Sequence, residues 1–331
     1  MRKFFVFLFC LVNANAFAAL SVNVSTTGNG LDAQLQKTKN ACSGISESMA
    51  DLKTMAGINT GLTGVGTVAG GVALGAGLAK ASKDADIEKL ELSLKKLEEK
   101  QEKNQQQFDQ IALSDDIFAQ CETMISLNSE QDSLNKKQDS IQSQIDAGTE
   151  KSKSLGNVRT GAMAGAAVTD TVGTILAANN RVDNLLQNKI DACVRETDKL
   201  KEAYNVARVD GSADSETLKK AEDITRECAE WANVDLSSIN KRATGATISG
   251  GAGAALALAG LFTSASANSS SVRNDATDDG RQKEKNLNTA ANVLAGGTTI
   301  ASAAATVFNA TQISSIKKAA EVADKCEEAL Q

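Results

Sequence analysis

The sequence contains no proline and no histidine. Without proline nothing in the chain forbids long continuous helix, and turn-forming steps are few, among them Asn29-Gly30 and Asp210-Gly211. Abundant Ala, Leu, Lys, Glu and Gln then point to an all-α protein. Without histidine there is no Ser-His or Cys-His nucleophile, and neither an HExxH nor a CxxC…HxxxH zinc site. No G-x-x-x-x-G-K-[ST] phosphate loop occurs either. The expectation is a non-enzyme with no catalytic residue, no cofactor and no metal. Aromatics are scarce as well: one Trp, one Tyr and nine Phe, five of which fall in the first 18 residues. A core so poor in rings must be packed from Ala, Gly, Leu, Ile and Val, which suits close helix–helix contact.

What is present begins with a secretory signal pattern. Arg2 and Lys3 form a basic region, Phe4 to Val12 an apolar core, and Ala16-Phe17-Ala18 an A-x-A cleavage site, so residues 1–18 are expected to be removed on export. Losing Arg2 and Lys3 takes the net charge from −6 to −8, which disfavours nucleic acid as a partner. Residues 19–41 read as a frayed terminus running into a short polar helix.

Four stretches of small residues dominate the rest. The first, 54–79, carries no charge; read at every fourth residue it gives Thr63, Thr67, Gly71, Gly75 and Ala79. The second, 157–180, gives Gly161, Gly165, Thr169, Gly173 and Ala177. The third, 243–265, gives Gly245, Ser249, Gly253 and Ala257, and the fourth, 286–312, gives Ala291, Ala295, Thr299 and Ala303. Residues i and i+4 share a helix face, so each series is expected to form a stripe along which another helix approaches closely. The segments resemble the glycine-zipper segments of bacterial envelope proteins, a local packing motif that carries over no functional residue.

Between the first two stretches, residues 80–155 change character. Ile87, Leu90, Leu94 and Leu97 follow a 3–4 spacing that continues through Gln101, Asn104, Phe108, Ile111, Asp115 and Phe118. A second run has Leu134, Gln138, Ile141 and Ile145. This is an antiparallel coiled-coil arm folding back near Ser114-Asp115-Asp116, or at Asn128-Ser129, and reaching roughly 50 Å at 1.5 Å per residue.

The pattern of cysteine, small-residue helix, connection, small-residue helix, cysteine occurs twice. It runs over 42–193 with the arm as connection and over 228–331 with a short one, and residues 194–227 form a helical hairpin between the two. Laid out as an up-down four-helix bundle of two hairpins, the chain brings Cys42, Cys193, Cys228 and Cys326 to one end. In an exported protein these read as two disulfides. Repeat symmetry favours Cys42–Cys193 with Cys228–Cys326, whereas the hairpin about Asp210-Gly211 would instead pair Cys193 with Cys228 and Cys42 with Cys326. Cys121 is left in the arm as a free or intermolecular thiol.

The stretches are long enough to cross a bilayer, and small-xxx-small stripes serve membrane helices. Against crossing stand their Gly, Thr, Ser and Asn content, the lack of flanking Trp or Tyr, and Asp170 near the centre of the second. In a soluble bundle Asp170 belongs on the outer face; in a membrane bundle it marks a polar interior. The expected role is that of an exported envelope protein with a structural or interaction function. Its partners would be a second copy of itself or another protein through the arm, with a membrane contact and no nucleic acid. A secreted pore-former and a soluble periplasmic bundle are the alternatives.

Overall fold

The computed structural model describes residues 30–111, 117–273 and 277–331. The signal-peptide reading and the proposed turn at Ser114-Asp115-Asp116 lie outside these residues. Among the described residues there is no strand. The helices are α1 (Gly30–Cys42), α2 (Ile45–Ile111), α3 (Ile117–Asn179), α4 (Asn184–Asp210), α5 (Ser215–Cys228), α6 (Leu236–Ala267), the short α7 (Ser270–Arg273) and α8 (Asp278–Leu330), with a 3-10 turn at Ala229–Asn233. Gly44 and Gly211 take positive φ, 71° and 68°, where α1 gives way to α2 and α4 ends. Asn128 and Ser129, considered as a turn, lie inside α3.

Four long helices pack in a ring, α2 against α3 and α8, and α6 against α3 and α8. α2 and α8 run in opposite directions, since Asn59 meets Asn309 while Lys80, further along α2, meets Glu284. The reason lies in one repeat. On α6 the residues Ile239, Ala243, Ala246, Gly250, Gly253, Ala257, Gly260, Ser264 and Ala267 are buried in alternating steps of four and three, with Ala254 buried beside them. On α8 the same alternation holds without a break from Asn288 to Leu330. On α2 it runs through Ala56, Asn59, Thr63, Gly66, Gly70, Ala73, Gly77 and Lys80 and on into the leucine seam of the arm. A single heptad register thus organises glycine and leucine segments alike.

This register corrects the stripes read at every fourth residue. Four residues turn a helix about 40° past a full circle, so such a stripe winds off the contact face within two or three steps. Gly71, Gly75, Gly161 and Gly165 therefore face outward, and a Cβ on any of them would meet nothing within 4 Å. Gly173, Gly245 and Gly253 do pack, against Thr63, Phe308 and Asp170. Among the α2 glycines, Gly70 is the one that faces backbone: a Cβ there would lie 3.1 Å from the backbone nitrogen of Thr299.

At one end of the ring, α1, α4 and α5 close over the chain with a conventional core of larger side chains, including Ile45, Met49, Ile190, Leu200, Ile224 and Trp231. Tyr204 packs against the same core. Within it Cys42 is bonded to Cys193 and Cys228 to Cys326, the pairing that repeat symmetry favours. At the other end α2 and α3 continue as an antiparallel pair, held by Gln101 to Gln138 at 2.8 Å and Asn104 to Gln131 at 3.0 Å. α8 continues along α2 past Glu284 beside Lys80 to Arg281 beside Glu88 and Glu91, so about 30 Å of the described arm, from Glu91 to Ile111, stands clear of it. Cys121 is exposed on this arm.

Candidate functional site

The interior of the ring is where the chain departs from an ordinary helical protein. Its buried residues are small or polar: Asn59, Thr63, Lys80, Arg159, Asp170, Asn180, Ser264, Thr298, Ser302, Asn309 and Gln312 are all buried. They fall into levels along the axis. Nearest the disulfides, the Gln312 amide donates to the backbone carbonyl of Asn180 at 2.7 Å. Next, the carboxamides of Asn59 and Asn309 meet at 2.9 Å, and Asn309 donates to the Thr63 hydroxyl at 3.3 Å.

Asp170 comes next and is fully buried, not on an outer face. Its Oδ2 is 2.5 Å from the Ser302 hydroxyl, and its Oδ1 has no hydrogen-bond partner among the described residues. Two glycines admit it: a Cβ on Gly66 of α2 would overlap Oδ1, and one on Gly253 of α6 would stand 2.9 Å from Oδ2. Below this level a short apolar cluster of Ala73, Met163, Ala166, Ala167, Ala257 and Ala295 plugs the ring. Met163 reaches across to Gly260, which leaves room for its methyl group.

The arm end is closed by charge. Arg159 is fully buried and donates to Asn288 at 2.8 Å and Asn292 at 3.3 Å. Lys80, equally buried, is 2.6 Å from Asp84 and 3.1 Å from Glu284, and Ser152 donates to Asp84 at 2.5 Å. Two cations and two carboxylates balance here, so the latch is neutral as a unit. Gly77 makes it possible, since a Cβ there would collide with Asn292.

The outer face carries the apolar side chains that a soluble bundle would bury. Val65, Val68 and Leu78 on α2, Val168, Val172 and Ile175 on α3, Ile248 and Phe262 on α6, and Val293, Ile300 and Val307 on α8 are all exposed. Among the described residues, four helices are long and apolar enough to cross a membrane. A cation bounds each stretch at both ends: Lys53 and Lys80, Arg159 and Arg181, Arg242 and Arg273, Lys285 and Lys317, with Asp170 the one charge between them. The shortest, between Arg159 and Arg181, spans about 30 Å, the thickness of a bilayer's hydrocarbon core. Stripe counting passed over both signals; the sequence shows them in the paired cations and in the 3–4 register of Asn59, Thr63, Gly66 and Gly70.

The sulfurs of Cys42, Cys228 and Cys326 lie within 4.8 Å of one another. All three are in disulfides and offer no thiolate to a metal. The exported-protein reading is served by these bonds, which persist in oxidising compartments. Comparison with known protein families, with curated proteins and with solved structures finds no match for this chain.

Proposed function

We propose that the chain is an exported, non-enzymatic envelope protein whose glycine-zipper-like helices form an up-down four-helix bundle in a membrane. The disulfide cap stands on the oxidising side, and the coiled-coil arm with Cys121 extends on the other, where it meets a protein partner or a second copy. The observation that carries this reading is the inverted ring, with Val, Ile, Leu and Phe outside and Asn, Thr, Ser and Asp inside. Water rewards the opposite arrangement, whereas lipid accepts apolar faces and requires polar groups to pair within the bundle. Even-numbered crossings also agree with the cap, since α1, the C-terminal end of α8 and the α4–α5 hairpin meet there.

The test is alkaline carbonate extraction of membranes from cells expressing the full chain, followed by alkylation of Cys121. Retention in the pellet, with Cys121 modified only by a reagent admitted to the cytoplasm, is the expected result. Release with the periplasmic or culture fluid overturns it. The polar interior favours one second reading, a secreted protein that inserts these helices as a pore. That reading requires dye release from liposomes by the purified protein and falls if none occurs over a range of pH and lipid composition.

A further inference from the structure

We propose that Asp170 is a proton-binding site at the centre of the ring, its carboxyl group held as the neutral acid, and that loss of the proton opens the ring. The argument begins with a count of hydrogens. Ser302 Oγ lies 2.8 Å from the Thr298 carbonyl oxygen and 2.5 Å from Asp170 Oδ2. A serine hydroxyl has one hydrogen to donate. With that hydrogen assigned to the Thr298 carbonyl, which can only accept, the shorter contact is completed by a hydrogen on the carboxyl group. Oδ2–H then donates to Ser302 Oγ, at a separation that suits O–H···O. Oδ1, without a partner, is the carbonyl oxygen of an acid, which is cheaper to leave unpaired than an oxygen sharing a negative charge.

The surroundings agree. The groups facing Asp170 from its neighbours are Gly66 on α2, Gly253 on α6 and Ser302 on α8, none of which titrates at ordinary pH. The nearest cation along α3 is Arg159, about 16 Å away and held by Asn288 and Asn292. Both glycines bring backbone against the carboxyl oxygens, leaving no space for a hydrated counter-ion on those sides. An ionised Asp170 would be a bare charge. When hydroxide takes the proton, the Oδ2–H bond breaks, water forms, and α2 and α6 must part from α3 for solvent to reach the carboxylate. This rests on the packing about Asp170 and not on the membrane reading, so the two stand or fall by separate experiments.

The test is infrared difference spectroscopy on the purified full chain in detergent at neutral pH, wild type minus Asp170→Asn. The amide copies the neutral acid in shape. A carboxylic acid C=O stretch that shifts in D2O and disappears in Asp170→Asn is expected; carboxylate bands in its place overturn the site. Should Asp170→Asn not fold, Ser302→Ala serves: the carboxylic acid C=O band must persist while the acid O–H loses its acceptor, and carboxylate bands in its place overturn the site. On alkaline titration, amide exchange over residues 160–180 is expected to rise as the acid band fades, in wild type but not in Asp170→Asn. Fading of the band with no change in exchange overturns the opening.

Discussion

Gly70 and Gly71 are neighbours on α2 with opposite surroundings, and substitution should separate them. A methyl group at Gly70 presses on the backbone of Thr299, whereas one at Gly71 meets nothing. Gly71→Ala is expected to be neutral or to stabilise by about 0.5–1 kcal/mol, the ordinary gain of alanine over glycine in a helix. Gly70→Ala is expected to cost about 1–3 kcal/mol, because backbone cannot move aside as a flexible side chain can. Denaturant titration followed by circular dichroism checks both. The aspartates at helix starts act on the same scale. Backbone and hydroxyl hydrogen bonds from Thr217 hold the Asp214 carboxyl below its usual range. A depressed carboxylate stabilises above its unfolded value and loses that stabilisation as pH falls through the folded one. Asp214→Asn should therefore flatten the acid side of the pH dependence of α5 helicity, measured by amide exchange in residues 215–228. Residue chemistry was legible in the sequence to the extent that it was local. The outward turn of Gly71, Gly75, Gly161 and Gly165 was not, because a spacing of four holds two residues on one face but not five.

Among the elements, the arm and the cap are stabilised by different means. The arm buries little and takes its register from polar residues on the seam. The Asn104 side chain donates to Leu127 O at 3.2 Å and to Gln131 at 3.0 Å. Asn104→Leu is expected to raise the stability of the α2–α3 pair while loosening its register, since a buried amide at such a position specifies alignment at the expense of stability. Disulfide trapping of cysteine pairs placed in and out of register reads the second effect. The cap depends on long-range cross-links closing sequence separations of 151 and 98 residues. Chain entropy assigns loops of this length about 5 kcal/mol apiece. Cys42→Ser with Cys193→Ser should lower the unfolding midpoint more than any single glycine change, measured without reductant. The arm seam and the cysteine ends were readable from sequence because leucines and cysteines mark themselves. The second candidate turn, Asn128-Ser129, misled because polar residues suit an exposed helix as well as a loop.

Across the whole molecule, a conventional core with large aliphatic side chains at the cap gives way to a ring that reverses it. The proposed membrane setting yields a prediction here that a soluble bundle does not share. Ile300 is 74% exposed near the middle of its uncharged stretch. Ile300→Asp should cost about 2.5–3.5 kcal/mol of insertion and shift the protein out of carbonate-resistant membranes. In a soluble bundle the same change is silent. Sequence composition pointed to an all-helical chain, while the small-residue stretches it marked are parts of longer continuous helices. It did not give the inside of the ring, because which of Asn59, Thr63, Asp170 and Ser302 point inward depends on how four helices share one register.

The two disulfides also decide what a single cut in the backbone can do. Drawn as a graph of covalent bonds, the chain is two closed cycles, Cys42 to Cys193 and Cys228 to Cys326, joined by one bridge over residues 194–227. A nick anywhere in the arm falls inside the first cycle, and a nick between α6 and α8 falls inside the second; neither releases a fragment. Between Cys42 and Cys326, only a cut in the bridge, which holds the Asp210-Gly211 turn, divides the molecule, and it leaves each half still closed on itself. A protease meeting the arm therefore changes the shape of what the arm presents without detaching it from the cap.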